Sequence, residues 1–218
     1  MSNRSPRGPY RKTVARREQI IDAALAAYTE AGSRGVSVRD IAQRVGMTDA
    51  GVLHHFGSRE ELFTAVLQAR ERVGRDAFGD AGRDPKAAFE LLAHNATTPG
   101  LVKLFLDVAA AAAEPDHPAH GYFTERYPRL RGSLADVLTD GADHRQDLGP
   151  ERSTVDAAWA ARILLAAVDG LQLQWLLDPD IDMAADMATL SEVLLDTLDR
   201  GSEQGKEAVS GDAPTAGA

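Results

Sequence analysis

VSVRDIAQRVGMTDAGVLHHFGSREELFTAVL, Val36 to Leu67, decides how this chain folds, because three helix starts follow one another within it. Ser37 and Asp40, three residues apart, spell a capping box, and Val36 with Ile41 is placed as the hydrophobic staple over it. Thr48 is the next N-cap candidate, with Met47 and Val52 as its staple. Ser58 with Glu61 makes a third box, ahead of the apolar run Leu62, Phe63, Val66 and Leu67. Between the first two helices lies Val45-Gly46-Met47, where Gly46 falls at a position that needs left-handed backbone. Ala42 is small where the second helix would cross the first. Two short helices locked across a tight turn form a helix-turn-helix, whose second helix is shaped to enter a DNA major groove. A helical hairpin with no nucleic-acid role satisfies the same capping and periodicity.

Composition narrows the classes. The 218 residues are 44% hydrophobic, enough for one large or two small globular domains with a sizeable core. Cysteine is absent, which excludes a disulfide framework, a thiol nucleophile and a cysteine-based zinc site. No apolar segment follows the basic N-terminus and no run reads as transmembrane, so a cytoplasmic protein without a membrane partner is expected. The net charge of −9 argues at first against a nucleic-acid partner, but the charge is unevenly placed. Residues 1–75 hold 13 Lys/Arg against 8 Asp/Glu, while the remainder holds 11 against 25. Local sign decides contact with a duplex, because salt screens charges beyond about 8–10 Å.

Around the central stretch the pattern is helical throughout, and an all-α fold is expected. Residues 1–12 read as a flexible basic arm carrying Arg4, Arg7, Arg11 and Lys12; it either tracks phosphates and the minor groove or simply aids solubility. The first helix is expected from Val14 to about Ala31, with Ile21, Ala24, Leu25 and Tyr28 as its buried stripe. A linker spans Ala77 to Arg83. Asp84-Pro85 and Thr98-Pro99 start further helices, and the second of these stops at Glu114-Pro115. His117-Pro118 opens a helix carrying Tyr122 to Leu138. Ser153 with Asp156 opens the next, closed at Asp178-Pro179, and a last helix runs from Asp182 to about Arg200. These readings divide the chain into an arm (1–12), a helix-turn-helix domain (13–58), a helical ligand-binding and dimerisation domain (59–200) and a disordered tail (201–218). The last two helices are apolar around more of their circumference than one core-facing stripe requires, and Ala160, Ala166, Ala167 and Gly170 permit close approach. A symmetric four-helix bundle from two chains would bury those second faces; a bundle within one chain is the alternative.

The segments QIIDAALAAYTEAG, SVRDIAQRVGMT and GVLHHFGSREELFTAVL together resemble the DNA-binding domain of the TetR family of bacterial transcriptional regulators. The motif DGLQLQWLLDP, Asp169 to Pro179, resembles an effector-domain helix of relatives with a BetI-like C-terminal domain. The resemblance implies a dimer made by the final two helices, a near-palindromic double-stranded operator and a repressor released by a small-molecule effector. Members commonly carry a phosphate-touching Tyr where Leu53 stands; here His54 is the nearest group able to take that role.

The expected DNA contacts are Arg11, Lys12, Ser37, Arg39, Thr48, Asp49, Ala50, Gly51, His54 and Arg59. The first turn of the recognition helix is the part that reaches base edges. There Asp49 can accept from a cytosine amino group, Ala50 can meet a thymine methyl, and Gly51 lets the backbone come close. His54 and Arg59 match family positions that grip phosphate, Arg39 matches a base- or phosphate-contacting one, and His55 is a weaker candidate. For the effector pocket the aromatic candidates are Phe89, Phe105, Tyr122, Phe123, Tyr127 and Trp159, with His94, Asp169 and Gln172 as orienting polar groups; each is equally at home in a core. No cofactor is expected. An enzyme is disfavoured by the lack of a Gly-rich phosphate loop, a nucleophile elbow or a carboxylate pair. A metal-responsive regulator is the remaining alternative, through Asp116, His117, His120 and His144, although Pro118 and Pro115 place these residues in a loop where Asp and His are ordinary.

Overall fold

The computed structural model of the chain describes residues 8–32, 34–143 and 156–210. Among the described residues there are nine helices and no strand: α1 (Gly8–Ala31), α2 (Val38–Arg44), α3 (Asp49–Phe56), α4 (Arg59–Phe78), α5 (Pro85–Asn95), α6 (Pro99–Ala111), α7 (His120–Asp143), α8 (Ala157–Leu177) and α9 (Met183–Ser210). The fold is all-α. Packing sorts these helices into two compact units. One combines the chain up to Gly79 with His94–Glu125, and the other combines Asp80–Ala93 with the chain from Arg126 onward. A division at residue 58 does not describe this packing, because both α4 and α6 lie against α1.

In the first unit α1 is the central element, touching α2, α3, α4 and α6. Its buried stripe is Ile20, Ala24, Ala27 and Tyr28. Ile21 and Leu25, expected in that stripe, are only half-buried, so the inward face is turned by about one residue from the expected one. The i, i+4, i+7, i+8 spacing from Ile20 serves a single face as well as the spacing from Ile21 does. The helix begins at Gly8 rather than Val14, with Pro9 in the first turn, where its missing N–H costs nothing. Arg11 and Lys12 therefore sit on a helix and are exposed, not on a flexible arm; Arg and Lys are good helix formers. Residues 1–7 of the expected arm lie outside the described residues.

The start of α6 is pressed onto the end of α1. A Cβ at Gly100 would lie 2.2 Å from the carbonyl oxygen of Tyr28 and 2.6 Å from that of Gly32, so only glycine allows this approach. Thr98, expected to cap α6, makes no side-chain cap. Its hydroxyl instead donates to Asn95 O at 3.4 Å and is buried. The helix ends at Ala111, earlier than Glu114-Pro115, through turn bonds such as Glu114 N to Ala111 O. Likewise α7 starts at His120, two residues past Pro118. Phe105 and Phe123 rings from α6 and α7 meet at 5.6 Å.

In the second unit three aspartates start helices, Asp84 and Asp182 as expected and Asp156 as the N-cap itself rather than as the partner of a cap at Ser153. Lys86 N donates to Asp84 Oδ1 at 2.9 Å, Trp159 N to Asp156 Oδ1 at 2.6 Å and Ala185 N to Asp182 Oδ1 at 3.0 Å. Ser153, the expected partner of Asp156, lies outside the described residues. Helix α8 buries Ala160, Ala161, Leu164 and Trp175, and α9, packed against it, buries Met183, Met187 and Leu194. The backbone of α9 continues to Ser210, ten residues beyond the expected end, through Glu203, Gln204, Lys206, Glu207 and Ala208, all good helix formers. Only residues 211–218 of the expected tail fall outside the described residues.

No run was expected to read as transmembrane, yet α8 reaches that length and composition. Its 21 residues, with Arg162 and Asp169 as the only charges, are long and apolar enough by length and composition to cross a membrane. Of its most apolar stretch, 28% is buried within the chain. Leu173 and Leu177 on α8 and Val193 on α9 are among the large apolar side chains left exposed.

The Gly100 contact gives a direct test of the α1–α6 seat. Gly100→Ala should lower unfolding stability by about 1–3 kcal/mol, the usual cost of forcing a methyl into packed atoms. Urea melts would show it, and an unchanged midpoint would mean that the two helices do not meet this closely.

Candidate nucleic-acid interface

Helices α2 and α3 are set by hydroxyl caps and one left-handed turn. Asp40 N donates to Ser37 Oγ at 3.2 Å and Ser37 N to Asp40 Oδ2 at 2.8 Å, so the capping box is complete. The Ser37 hydroxyl also donates to Asp40 Oδ2 at 2.7 Å, and these bonds hold the Asp40 carboxyl below the usual carboxylate range. At the turn Gly46 takes φ +65° and Met47 N donates to Ala42 O at 2.9 Å. Thr48 Oγ1 then accepts from Gly51 N at 3.1 Å to start α3. Ile41, Ala42 and Val52 are buried where the two helices pack, and Val36 is buried as well. The Ser58 box is only half made: its hydroxyl accepts from Glu61 N at 3.0 Å, without a reciprocal bond from Glu61. Glu61 lies instead over Gly57, whose φ of +95° ends α3.

Two ties fasten this pair to α1. Arg17 Nη1 donates to the His55 carbonyl oxygen, and the guanidinium lies 4.2 Å from the Phe56 ring centroid. Arg44 at the end of α2 bridges Glu30 of α1 twice, Nη2 to Oε2 at 2.6 Å and Nη1 to Oε1 at 3.1 Å. That bridge holds the Glu30 carboxyl below its ordinary range, but it is exposed and water screens it. The Arg17 clamp spans 38 residues of sequence and nothing in the local pattern marks it.

The expected contact residues fall into three groups. Asp49 and Ala50, in the first turn of α3, are exposed, and Gly51 is half-exposed. Arg39, His54 and Arg59 are exposed on α2, α3 and the first residue of α4. Ser37 and Thr48 hold their places by capping, so their hydroxyls are already engaged with the backbone. Leu53 is half-buried, as is His55, whose ring stands edge-on to His54 with centroids 6.0 Å apart. The Arg59 guanidinium lies 4.9 Å from the Phe63 ring centroid. The arrangement is a capped helix with an exposed N-terminal turn, flanked by two arginines and a histidine able to meet phosphate.

The expected effector-pocket residues divide between the two units. His94, Phe105, Tyr122 and Phe123 belong to the first. There Phe105 and Phe123 are buried, the Tyr122 hydroxyl donates to Glu71 Oε2 at 2.6 Å, and the exposed His94 ring lies 5.2 Å from that of Phe78. Phe89, Tyr127, Trp159, Asp169 and Gln172 belong to the second. Within it the Tyr127 hydroxyl donates to Asp169 Oδ2 at 2.6 Å; burial pushes the Asp169 carboxyl up, against that bond and the charge of Arg126. Gln172, one turn on, is buried, while Phe89 and Trp159 are half-buried. A cleft of 200 Å³ opens elsewhere, between α1, α4 and α6 of the first unit, and none of these candidates lines it.

The residues weighed as metal ligands do not converge. His117 Nδ1 accepts from Ala119 N at 3.1 Å, and the His120 Nδ1–H donates to Ala112 O at 2.9 Å. Among the described residues there is no group of three or more His, Asp or Glu side chains able to hold a cation. His144 lies outside them.

Comparison with known proteins agrees with this geometry. Residues 20–66 match the profile of the tetR family of bacterial regulatory proteins, and residues 86–200 match the C-terminal profile of BetI-type transcriptional repressors. The transcriptional repressor KstR2 of Mycobacterium tuberculosis is 28% identical over 164 residues, covering 67% of this chain and 80% of its own. The transcriptional regulator TtgR of Pseudomonas putida is 27% identical over 197 residues, covering 84% and 90%. Among solved structures, a transcriptional regulator of Pseudomonas aeruginosa is 27% identical, with a TM-score of 0.58 over 88% of this chain and 93% of its own. The fatty acid degradation regulator FadR of Bacillus halodurans, 18% identical with a TM-score of 0.58 over 82% and 97%, shares the fold. With one profile on the helix-turn-helix and another across most of the remaining helices, the chain belongs to the TetR family and is a DNA-binding transcriptional repressor of helix-turn-helix type.

Proposed function

We propose that this repressor works as a symmetric dimer, reads two half-sites of a near-palindromic operator with α3, and leaves the DNA when a small-molecule effector binds. The observation that carries the reading is the exposed first turn of α3, held by the Thr48 cap beside Arg39, His54 and Arg59. In this arrangement Asp49 and Ala50 read base edges, while Arg59, His54 and the free amides at the start of α4 hold phosphates. Arg39 serves either purpose, and Arg11 and Lys12 reach phosphate from the exposed start of α1.

Dimerisation is supported by apolar surface that one chain leaves uncovered. Leu173, Leu177 and Val193 are 52%, 81% and 56% exposed, on two helices already packed together. A second copy would cover this surface and bring two recognition helices to half-sites about 34–36 Å apart, or a multiple of that. The same surface accounts for the apolar length of α8 through a protein partner, and the protein then acts in the cytoplasm, where its operator is. The reading is of a regulator and not of an enzyme.

Operator affinity measured across salt tests the contact assignments. Arg59→Ala should weaken binding to every duplex alike and reduce the salt slope by about one unit, whereas Asp49→Ala should change sequence preference at one base pair per half-site. Equal loss of preference in both variants would overturn the assignment. For the dimer, Leu173→Glu with Leu177→Glu should give monomers in sedimentation and weaken operator binding by about a hundredfold or more, because each half-site is then held alone. A double variant that stays dimeric would place the subunit interface elsewhere.

A further inference from the structure

The cleft between α1, α4 and α6 is lined by Arg59, the same side chain that the proposed interface turns toward phosphate. Its apolar wall is aromatic: Tyr28 and Phe63 meet edge-on with centroids 5.9 Å apart, and Val36, Leu104 and Val108 continue it. The volume of 200 Å³ is below the roughly 300–1,000 Å³ of sites for drug-sized ligands, so the space suits one ring and a charged head.

The charges favour an anion. Lys103 and Asp107, both on the rim, neutralise each other at 2.7 Å. Arg59 lies within ion-pair distance of no carboxylate among the described residues; its guanidinium rests only on the Phe63 ring. Arg34 adds a second cation, against Glu60 alone. The start of α4 contributes the positive end of a helix dipole. His117, also on the rim, accepts a bond at Nδ1, which leaves its ring proton on Nε2 as a donor. Burial pushes the Tyr28 phenol up to about 12, so that wall stays uncharged, and its hydroxyl donates to Val36 O at 3.3 Å.

We propose that this cleft is a binding site for a small aromatic carboxylate, whose carboxylate takes the Arg59 guanidinium while its ring lies against Tyr28 and Phe63. One guanidinium does not serve a carboxylate and a DNA phosphate at full strength together, so occupancy lowers operator affinity. That consequence rests on the DNA contact proposed above; binding in the cleft does not.

Benzoate is the probe, and benzamide, of the same shape without the charge, is its control. Ala111→Trp fills the cleft from the exposed end of α6 and leaves Arg59 and the α3 surface untouched. Calorimetry should give one benzoate per chain, bound at about 1 mM or tighter, and both benzamide binding and benzoate binding to Ala111→Trp should be at least about tenfold weaker. Amide chemical shifts in wild-type protein provide a measurement that needs no variant: benzoate should move Gly35, Gly100 and Lys103. No saturable binding by about 20 mM, equal affinity for benzamide, or shifts centred outside the cleft would each overturn the site. At fixed ionic strength benzoate should also weaken binding to a duplex that the protein selects from a random pool, in the wild type and not in Ala111→Trp. Binding in the cleft with unchanged DNA affinity would overturn the coupling. Failure of the ligand-free protein to select any duplex would instead overturn the DNA-reading proposal, and the titration alone would then decide the cleft.

Discussion

The bond from Gly51 N to the Thr48 hydroxyl, made immediately after the left-handed turn at Gly46, is the constraint on which the proposed DNA interface depends. It lets the chain leave α2 and enter α3 within four residues, 45–48, without orphaning the first donors of the new helix. The cap uses backbone and a short side chain, so Asp49 and Ala50 remain uncommitted and exposed. Ile41 and Val52, both fully buried, hold the crossing from beneath, and Arg17 clamps the far end of α3 at His55 and Phe56. A recognition element needs this combination: its outward face must be free and its position must not be. The polar bonds supply direction and the buried apolar pairs supply most of the free energy.

Helix α1 links that element to the rest of the first unit. It receives α2 through the Arg44–Glu30 bridge and α6 through the close approach of Gly100 to the Tyr28 and Gly32 carbonyls. A packed contact of this kind has no room to deform gradually, so a shift of α6 has to move α1 or break the seat. Arg59 stands where this frame meets the outer surface, on the first residue of α4 and against the Phe63 ring. In the proposal above, this one side chain, lining the cleft and exposed at the helix start, would link the two by charge alone, without a long mechanical path.

Most of the helix starts written in short-range chemistry were legible in the sequence, although the Ser58–Glu61 box is made on one side only. The Ser37–Asp40 box, the Thr48 cap, the glycine turn and the Asp84 and Asp182 starts all depend on residues within four positions of one another, and all are present. What depends on distant partners was not. The inward face of α1 is chosen by α4 and α6, which is why Ile20 and Ala27 are buried where Ile21 and Leu25 were expected. Thr98 looks like a cap until the packing of α6 on α1 turns its hydroxyl back to Asn95. The Arg17 clamp joins residues 38 apart, and Gly100 carries no local sign that two carbonyls lie beside it. The cleft could not be read from aromatic content, since its walls come from Tyr28 and Phe63 in the DNA-reading part of the chain, not from the aromatic residues of α5–α8.

The chain contains no cysteine, so Ala50→Cys installs a single thiol on the exposed turn of α3. A DNA-cleaving iron chelate attached there reports directly where that turn sits on a selected duplex. The account predicts two cleavage clusters, related by two-fold symmetry, with major-groove offsets and centres about 34–36 Å apart or a multiple of that. Diffuse cleavage along the duplex, a single cluster, or cuts with minor-groove offsets would contradict it.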